Sequence, residues 1–280
     1  MATCIGFSMI ADPTKIRAAF GARSLGTWPT ALEAAPALGA ALGVTELWLK
    51  REDRSNPRYG GNKVRGLEFL LNGVAPDTVF VTIGGTGSTH CLATAVHARA
   101  LGHRVILAQF PQPDTATARA IAARCAREEA GIFRARSRFA FPLALGRAWI
   151  AAGRMGPRRW IAGGGASPRA VIGHVLAGLE LAAQLPAPPD AIVAPLGSTG
   201  TVAGLCLAMA YLRWPTRVVG VRVAPILVAN SWRATHLARA AHRLLAAEIP
   251  FPAPPSLVPL VVDGLGRGYG WPTRDGERAW

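Results

Sequence analysis

The sequence has no apolar segment long enough to cross a membrane. A transmembrane helix requires ~20 consecutive apolar residues, and the nearest approach, residues 139–153, is interrupted by Pro142 and Arg147. The first ten residues lack the basic start and the cleavage site of a signal peptide. These absences predict a soluble, cytoplasmic protein that does not insert into membranes.

Cysteine and lysine are both scarce. The cysteines are widely spaced, without a Cys-x-x-Cys pair, at Cys4, Cys91, Cys125 and Cys206. This spacing favours reduced thiols over a disulfide framework or a zinc site, and we expect no metal. Lysine occurs three times, at Lys15, Lys50 and Lys63. Arginine and alanine are abundant, as a general compositional bias would produce.

Negative charge is also sparse, since 31 basic residues outnumber 16 acidic ones and leave a formal net charge of +15. Such an excess suggests nucleic-acid binding. However, the arginines are scattered, without the interleaved aromatics of a single-strand binder and without a helix-turn-helix or zinc-finger pattern. We therefore expect no nucleic-acid partner; a basic binding protein on a recycled fold stays as a rival, which steeply salt-dependent DNA retention would support.

Short apolar runs alternate with longer helical patterns. The runs predict strands at 46–50, 78–83, 104–109, 159–162, 191–195 and 217–223. The helical patterns lie at 63–71, 89–101, 115–130, 168–185, 201–212 and 230–247. This order favours an α/β fold with a parallel sheet and helices on both faces. Residues 190–195 lack polar alternation, which predicts a strand covered on both sides.

Three stretches fall outside this pattern. Basic residues, Pro and Gly cluster at 133–165, which predicts a seam between two domains. The Pro-rich residues 250–259 predict a long surface connection, and residues 271–280 predict no C-terminal helix.

A glycine turn at residues 60–63 delivers one lysine to the start of a helix, just after the charged cluster 50–53. Gly60 and Gly61 allow close approach of the backbone to a ligand and positive φ. The positive end of the helix dipole disfavours a charge on Lys63, and a lysine that sheds its proton readily suits imine chemistry. The alternative is an Asn62 N-cap followed by a solvated lysine.

A second turn, residues 84–90, joins a strand to a helix and carries Ser88 and His90. Its N–H groups and the helix dipole suit an anion such as a substrate carboxylate, with Ser88 near the reacting carbon. The alternative is an ordinary turn in which Ser88 is the N-cap. His90 is either a supporting hydrogen-bond donor or a helix-face residue, and a buried structural thiol is the expected role of Cys91.

A third turn, residues 197–201, also leads from a strand into a helix and is made of Gly, Ser and Thr. A concave row of N–H and O–H donors at a helix N-terminus suits a terminal phosphate. The sequence lacks the lysine of a P-loop and the G-x-G-x-x-G of a dinucleotide fold, so a nucleotide is not favoured. The alternative is a plain glycine turn.

Two further glycine segments lie at Gly163–Gly165 and around Tyr269. The first is either part of a site or a flexible connection between domains, and the residues alone do not decide between these. The second places one tyrosine in a turn.

Together these motifs resemble the fold-type II pyridoxal 5′-phosphate (PLP) enzymes of the tryptophan synthase β family. The resemblance is to the branch of 1-aminocyclopropane-1-carboxylate deaminase and D-cysteine desulfhydrase. The matching stretches are residues 28–30, 50–53, 60–65, 87–90, 163–168, 197–204 and 268–273.

The resemblance implies a role for each motif. Lys63 forms a Schiff base with PLP, and Asn62 lies beside the cofactor. The phosphate is held by Gly197, Ser198, Thr199, Gly200 and Thr201. Ser88 engages the substrate in a loop with Thr89 and His90, and Tyr269 matches an active-site tyrosine.

The resemblance also implies lyase or deaminase chemistry on a small amino acid, releasing ammonia and a 2-oxo acid, with sulfide if the substrate is D-cysteine. D-Cysteine is preferred to 1-aminocyclopropane-1-carboxylate because His90 stands where the deaminase branch more often has Gln. A homodimer is expected, with a larger PLP-binding domain at 1–62 and 160–280 and a smaller domain at 63–159.

The chain departs from the family pattern at two places. Thr89 replaces an asparagine expected to contact the cofactor ring, which affects tuning and substrate choice. The family also continues for several dozen residues beyond the Tyr269 loop, with a second tyrosine and the partner of the pyridine nitrogen, whereas this chain ends at Trp280. A catalytically impaired or inactive truncated homologue is therefore the alternative.

Overall fold

A computed structural model describes residues 12–252 and 258–278 of the chain. Cys4, predicted to be a reduced thiol, lies outside the described residues. The helices are α1 (Pro13–Ala19), α2 (Pro36–Leu42), α3 (Lys63–Leu70), α4 (Thr89–Ala100), α5 (Ala116–Arg127), α6 (Phe141–Met155), α7 (Pro168–Gln184), α8 (Gly200–Leu212), α9 (Ser231–Glu248) and α10 (Arg274–Arg278). The strands are β1 (Leu32–Ala34), β2 (Trp48–Lys50), β3 (Val79–Gly85), β4 (Arg104–Phe110), β5 (Gly131–Arg134), β6 (Arg158–Ile161), β7 (Ala191–Leu196), β8 (Arg217–Arg222) and β9 (Leu260–Asp263).

The chain forms two compact units, one of residues 1–22 and 167–264 and the other of residues 23–166 and 265–280. We call them the first and the second unit. The smaller domain predicted at 63–159 lies inside the second unit, which also contains 23–62, 160–166 and 265–280. The predicted domain bounds therefore differ from this division, and they stay a prediction about the independent folding of the parts.

The second unit is built on a parallel sheet with strand order β5-β4-β3-β6. Successive side chains of a strand point to opposite faces, and both faces are buried here. Phe80 and Leu107 belong to a core with α3 and α4, whereas Val81 and Ile106 pack with Ala148 of α6. A short antiparallel pair, β1 and β2, completes the unit.

The first unit contains a parallel sheet of order β7-β8-β9, and α7, α8 and α9 pack against one another beside it. Ala194 and Leu196 of β7 are buried, but Val193 between them is 66 % exposed. The prediction that this strand is covered on both sides is wrong for the described residues. An apolar run without polar alternation does not by itself reveal how many faces are covered.

The predicted α/β class with parallel sheets is confirmed, and all twelve predicted elements are present within one or two residues of most of their bounds. Residues 133–165, where a seam was expected, contain the second half of β5 and all of α6 and β6, and the division between the two units follows after residue 166. Residues 271–280 do contain a short helix, α10, so that prediction is wrong. Part of the connection predicted at 250–259 lies outside the described residues, and β9 follows it.

Candidate active site

The loop that carries Lys63 is fixed by its own backbone and by Glu52. A Cβ on Gly60 would lie 1.9 Å from the carbonyl oxygen of Asp53, so this glycine permits close approach to the chain itself. Gly61 has φ of 127° and donates its N–H to the Glu52 carbonyl at 2.8 Å. The two predicted glycines are therefore needed to shape the loop.

Lys63 is the first residue of α3, and Asn62 stands at the N-cap position without a side-chain capping bond. Burial lowers the pKa of the Lys63 ammonium from its ordinary 10.5 to about 8. The sequence predicted such a shift from the helix dipole, whereas desolvation is its cause in the structure. A solvated lysine, the alternative, does not fit this position.

A buried ion pair two residues further along anchors the same helix. Arg65 is 2 % exposed and makes two bonds to the Glu52 carboxylate, at 2.6 and 2.7 Å. Thr30 donates its hydroxyl to the same carboxylate at 2.8 Å, and the Arg65 guanidinium lies 4.0 Å from the Trp28 ring centroid. Three separate stretches of the resemblance thus meet around one arginine that holds the start of α3.

Ser88 begins α4, where its Oγ accepts the N–H of Cys91 at 3.3 Å. The N-cap alternative is therefore correct, and the Ser88 N–H donates to the Gly85 carbonyl at 3.0 Å, although the N–H groups of the next residues can still face an anion. Thr89 is exposed and His90 is buried. Burial raises the pKa of the Cys91 thiol to about 12, as expected for a structural cysteine.

Tyr269 lies beside the turn that leads to Ser88. A Cβ on Gly85 would lie 3.3 Å from Cε1 of the Tyr269 ring, and that ring centroid is 6.2 Å from the centroid of Phe110. Burial raises the pKa of the Tyr269 hydroxyl above its ordinary value. The structure therefore brings together Tyr269 and the turn before Ser88, which lie about 180 residues apart in the sequence.

His90 is the last residue of the same turn and is buried. Its Nε2 lies 2.9 Å from the Thr82 hydroxyl, and its Nδ1 is buried without a hydrogen-bond partner. Burial lowers the pKa of His90 to about 3, with a further contribution from the charge of Lys63. His90 is therefore neutral near pH 7. Thr82 was not singled out from the sequence; the signal was one hydroxyl within the otherwise apolar start of β3.

The turn 197–201 belongs to the first unit, between β7 and α8. Thr199 adopts φ of 73° and caps α8 without a side-chain bond, a left-handed conformation that costs energy in a β-branched residue. A Cβ on Gly197 would meet only Val223, at 3.9 Å, so space is left beside the turn. Successive N–H groups around a left-handed residue at a helix start suit an anion, and these residues fit a phosphate.

Among the described residues, no group of His, Cys, Asp and Glu is arranged to hold a metal ion, and no helix is both long and apolar enough to span a bilayer. Cys91, Cys125 and Cys206 are free and buried, in agreement with the predicted reduced thiols.

Residues 23–279 match the family model described as pyridoxal-phosphate dependent enzyme. The chain belongs to this family. A glycine turn before a lysine with a lowered pKa and a glycine-rich turn suited to phosphate are both consistent with that cofactor.

Three similar proteins bear on the branch. The nocardicin C-9′ epimerase of Nocardia uniformis subsp. tsuyamanensis is 37 % identical over 62 % of this chain, a match that spans 56 % of the epimerase. The bifunctional D-cysteine desulfhydrase/1-aminocyclopropane-1-carboxylate deaminase of Arabidopsis thaliana is 54 % identical over 18 % of this chain and 13 % of its own. A crystal structure of an ACC deaminase homologue has 27 % identity and a TM-score of 0.77, covering 92 % of this chain and 79 % of its own. The chain thus spans less than two thirds of the epimerase's length.

Proposed function

We propose that this protein is a PLP-dependent lyase or deaminase that acts on a small amino acid, with D-cysteine as the favoured substrate. The observation that carries the proposal is Lys63, whose pKa of about 8 leaves a useful fraction of its amine unprotonated near neutral pH. The match to a bifunctional D-cysteine desulfhydrase/1-aminocyclopropane-1-carboxylate deaminase supports both activities, and His90 in the substrate loop favours D-cysteine.

PLP, when bound, supplies an electron sink for a carbanion at the α-carbon of an amino acid. Lys63 would hold the cofactor, and Gly197, Ser198, Thr199, Gly200 and Thr201 would bind its phosphate, with Asn62 beside it. The Lys63 amine would take the α-proton of D-cysteine, because a base with a pKa near the working pH transfers protons efficiently.

The remaining residues act on the substrate. The backbone N–H groups of Thr89 and His90 at the start of α4 would bind its carboxylate, beside Ser88, whose own N–H donates to the Gly85 carbonyl at 3.0 Å. The half-buried Tyr269 keeps its proton at neutral pH, because its pKa is raised above an ordinary value of 10.0, and it can donate that proton to a leaving group. Loss of sulfide from D-cysteine, followed by hydrolysis, would release ammonia and a 2-oxo acid.

The first test is the site of cofactor attachment. Borohydride reduction of the protein with PLP should leave the cofactor on Lys63, which peptide mapping can separate from Lys15 and Lys50. Lys63→Ala should abolish the adduct and the visible imine band, while Lys15→Ala keeps both. A reduced adduct on Lys50 in the unaltered protein would refute the assignment.

A second candidate is epimerisation of an amino acid, favoured by the 37 % identity to an epimerase. Loss of sulfide from D-cysteine and epimerisation both begin with removal of the α-proton, whereas 1-aminocyclopropane-1-carboxylate has no α-proton, so the fate of each substrate distinguishes the reactions. Sulfide and ammonia released from D-cysteine support the lyase, and ammonia from 1-aminocyclopropane-1-carboxylate supports the deaminase. Racemisation of D-alanine in D2O, with deuterium incorporated at the α-carbon, supports the epimerase. No turnover of any of the three amino acids supports the inactive homologue.

The homodimer stays a prediction, which analytical ultracentrifugation can test.

A further inference from the structure

The protonation state of His90 follows from the hydrogen bonds of Thr82. The Thr82 hydroxyl lies 2.9 Å from the carbonyl oxygen of Ile161 and donates its proton there. The same oxygen lies 2.9 Å from His90 Nε2. A hydroxyl has one proton to donate, so the second contact is satisfied only if Nε2 carries a proton and donates it to Thr82.

Because Nε2 carries the proton and the ring is neutral, Nδ1 is left as a lone-pair acceptor. Nδ1 is buried and has no hydrogen-bond partner. It faces Gly165, whose hypothetical Cβ would lie 3.8 Å away, in ordinary van der Waals contact. A buried acceptor without a donor is costly, which makes it a place where a ligand or a moving side chain can bind.

We propose that Thr82 is a positioning residue, which fixes His90 in its Nε2–H tautomer so that Nδ1 accepts a hydrogen bond from an amine in the site. The amine is that of Lys63 or the amino group of a bound amino acid; this second part rests on the proposed function, whereas the tautomer does not. Two features point to an amine. The charge of Lys63 acts on the His90 ring, and Nδ1 in this tautomer can bind donors only.

The tautomer can be measured without any activity. In nitrogen-15 NMR of histidine-labelled protein, purified with PLP, the His90 signals are assigned by their loss in His90→Gln. We expect a protonated Nε2 and an unprotonated Nδ1. A protonated Nδ1 or a doubly protonated ring would overturn the proposal even if the PLP adduct on Lys63 is intact.

Thr82→Val removes the acceptor for Nε2–H and should mix the two tautomers, while Thr82→Ser should restore the pattern of the unaltered protein. Thr94→Val is the matched control, because the buried Thr94 hydroxyl donates to the His90 carbonyl at 2.9 Å and not to the ring. If Thr82→Val does not fold, the unaltered protein still decides the tautomer, and Thr82→Ala then replaces Thr82→Val as the variant without a hydroxyl. An unchanged tautomer in a folded Thr82→Val protein would contradict the role of Thr82.

The source of the amine is tested with 2-aminoisobutyrate, an amino acid without an α-proton. In cofactor-free protein, Lys63→Ala should shift the Nδ1 signal if Lys63 is the donor. In protein with PLP, 2-aminoisobutyrate should shift it if the bound amino acid is the donor, and Thr82→Val should raise the concentration needed for half-saturation about 10-fold. If neither arm moves the Nδ1 signal, the proposed amine contact is wrong, whatever the outcome for the cofactor.

Discussion

The turn before α4 and the turn before α8 have similar compositions but are built in different ways. In the first, a Cβ on Gly84 would lie 2.5 Å from Ser88 Oγ and 2.6 Å from Cys91 Sγ, and Ser88 caps the helix with its side chain. In the second, Gly197 has open space, and Thr199 is left-handed without a capping bond. The first turn is determined by its own packing, whereas the second leaves space beside Gly197.

This difference suggests that the two turns have different roles in the same fold. A turn held by packing can keep Ser88 and His90 in place whether or not a ligand is present. A turn with a strained residue and unused space gains stability when an anion binds. Glycine is thus a packing residue in one turn and leaves space for the proposed ligand in the other.

Alanine substitutions test the comparison directly and should give its largest effect. Gly84→Ala should lower the free energy of unfolding by about 3 kcal/mol, because the added methyl group overpacks a buried site. Gly197→Ala should change it by less than about 0.5 kcal/mol, as at an unconstrained position, but should weaken PLP binding. Urea denaturation and equilibrium dialysis measure the two effects. Equal losses of stability would show that both turns are determined by packing.

Acid should distinguish the two turns. Residues 84–90 contain the titratable His90, whereas residues 197–201 contain no titratable side chain. The pKa of His90 is about 3 in the folded protein, below its ordinary 6.5, so the unfolded chain binds a proton between these values that the folded chain does not. Stability is therefore present above pH 6.5 and is lost as the pH falls. From pH 6.5 to 5 the loss should be about 2 kcal/mol.

The control for this pH effect is His90→Gln, which removes the titrating ring. Urea denaturation at pH 5 and 7.5 should show a smaller difference between the two pH values in the variant than in the unaltered protein. If the difference is the same in both proteins, other groups carry the acid sensitivity and His90 is not neutral as described.

Much of the fold could be predicted from the sequence, because its main helices and strands show clear hydrophobic periodicity and begin at recognisable capping residues. The helix α6 was not predicted within 133–165, because the basic residues, Pro and Gly of this stretch were interpreted as a seam. Proline is favoured in the first turn of a helix, where Pro142 lies. Ala144, Ala148 and Ala152 form the buried face of α6 at a spacing of four, and such a face is easily missed when its residues are small.

The chemistry of the site could be predicted only where a motif is local. Lys63, Ser88 and the turn 197–201 follow from glycine, strand and helix signals close in sequence. The Thr82–His90–Ile161 chain joins three elements, and Ile161 contributes only its backbone carbonyl, which no side-chain pattern can indicate. The cause of the Lys63 pKa was missed for the same reason, since burial depends on tertiary packing.

Removal of the Ser88 side-chain cap tests the same difference between the two turns, with a smaller expected change in the free energy of unfolding. Ser88→Ala should lower the free energy of unfolding by about 1 kcal/mol, because the Cys91 N–H loses its acceptor. Ser88→Thr, which keeps a hydroxyl, is the control and should recover most of the loss in urea denaturation. A loss below the error of the measurement would mean that backbone packing alone holds this turn.

The smallest effect should have the opposite sign. Thr199→Gly relieves a left-handed β-branched residue, worth about 1 kcal/mol, and adds chain entropy to the unfolded state, worth roughly 0.5 kcal/mol. The cofactor-free protein should therefore gain about 0.5 kcal/mol in urea denaturation. Thr201→Gly, on the same turn but inside α8, should instead lose stability, because glycine is a poor helix former. A clear loss of stability in Thr199→Gly would mean that the Thr199 side chain supports its turn as Ser88 does, and the distinction between the two turns would fail.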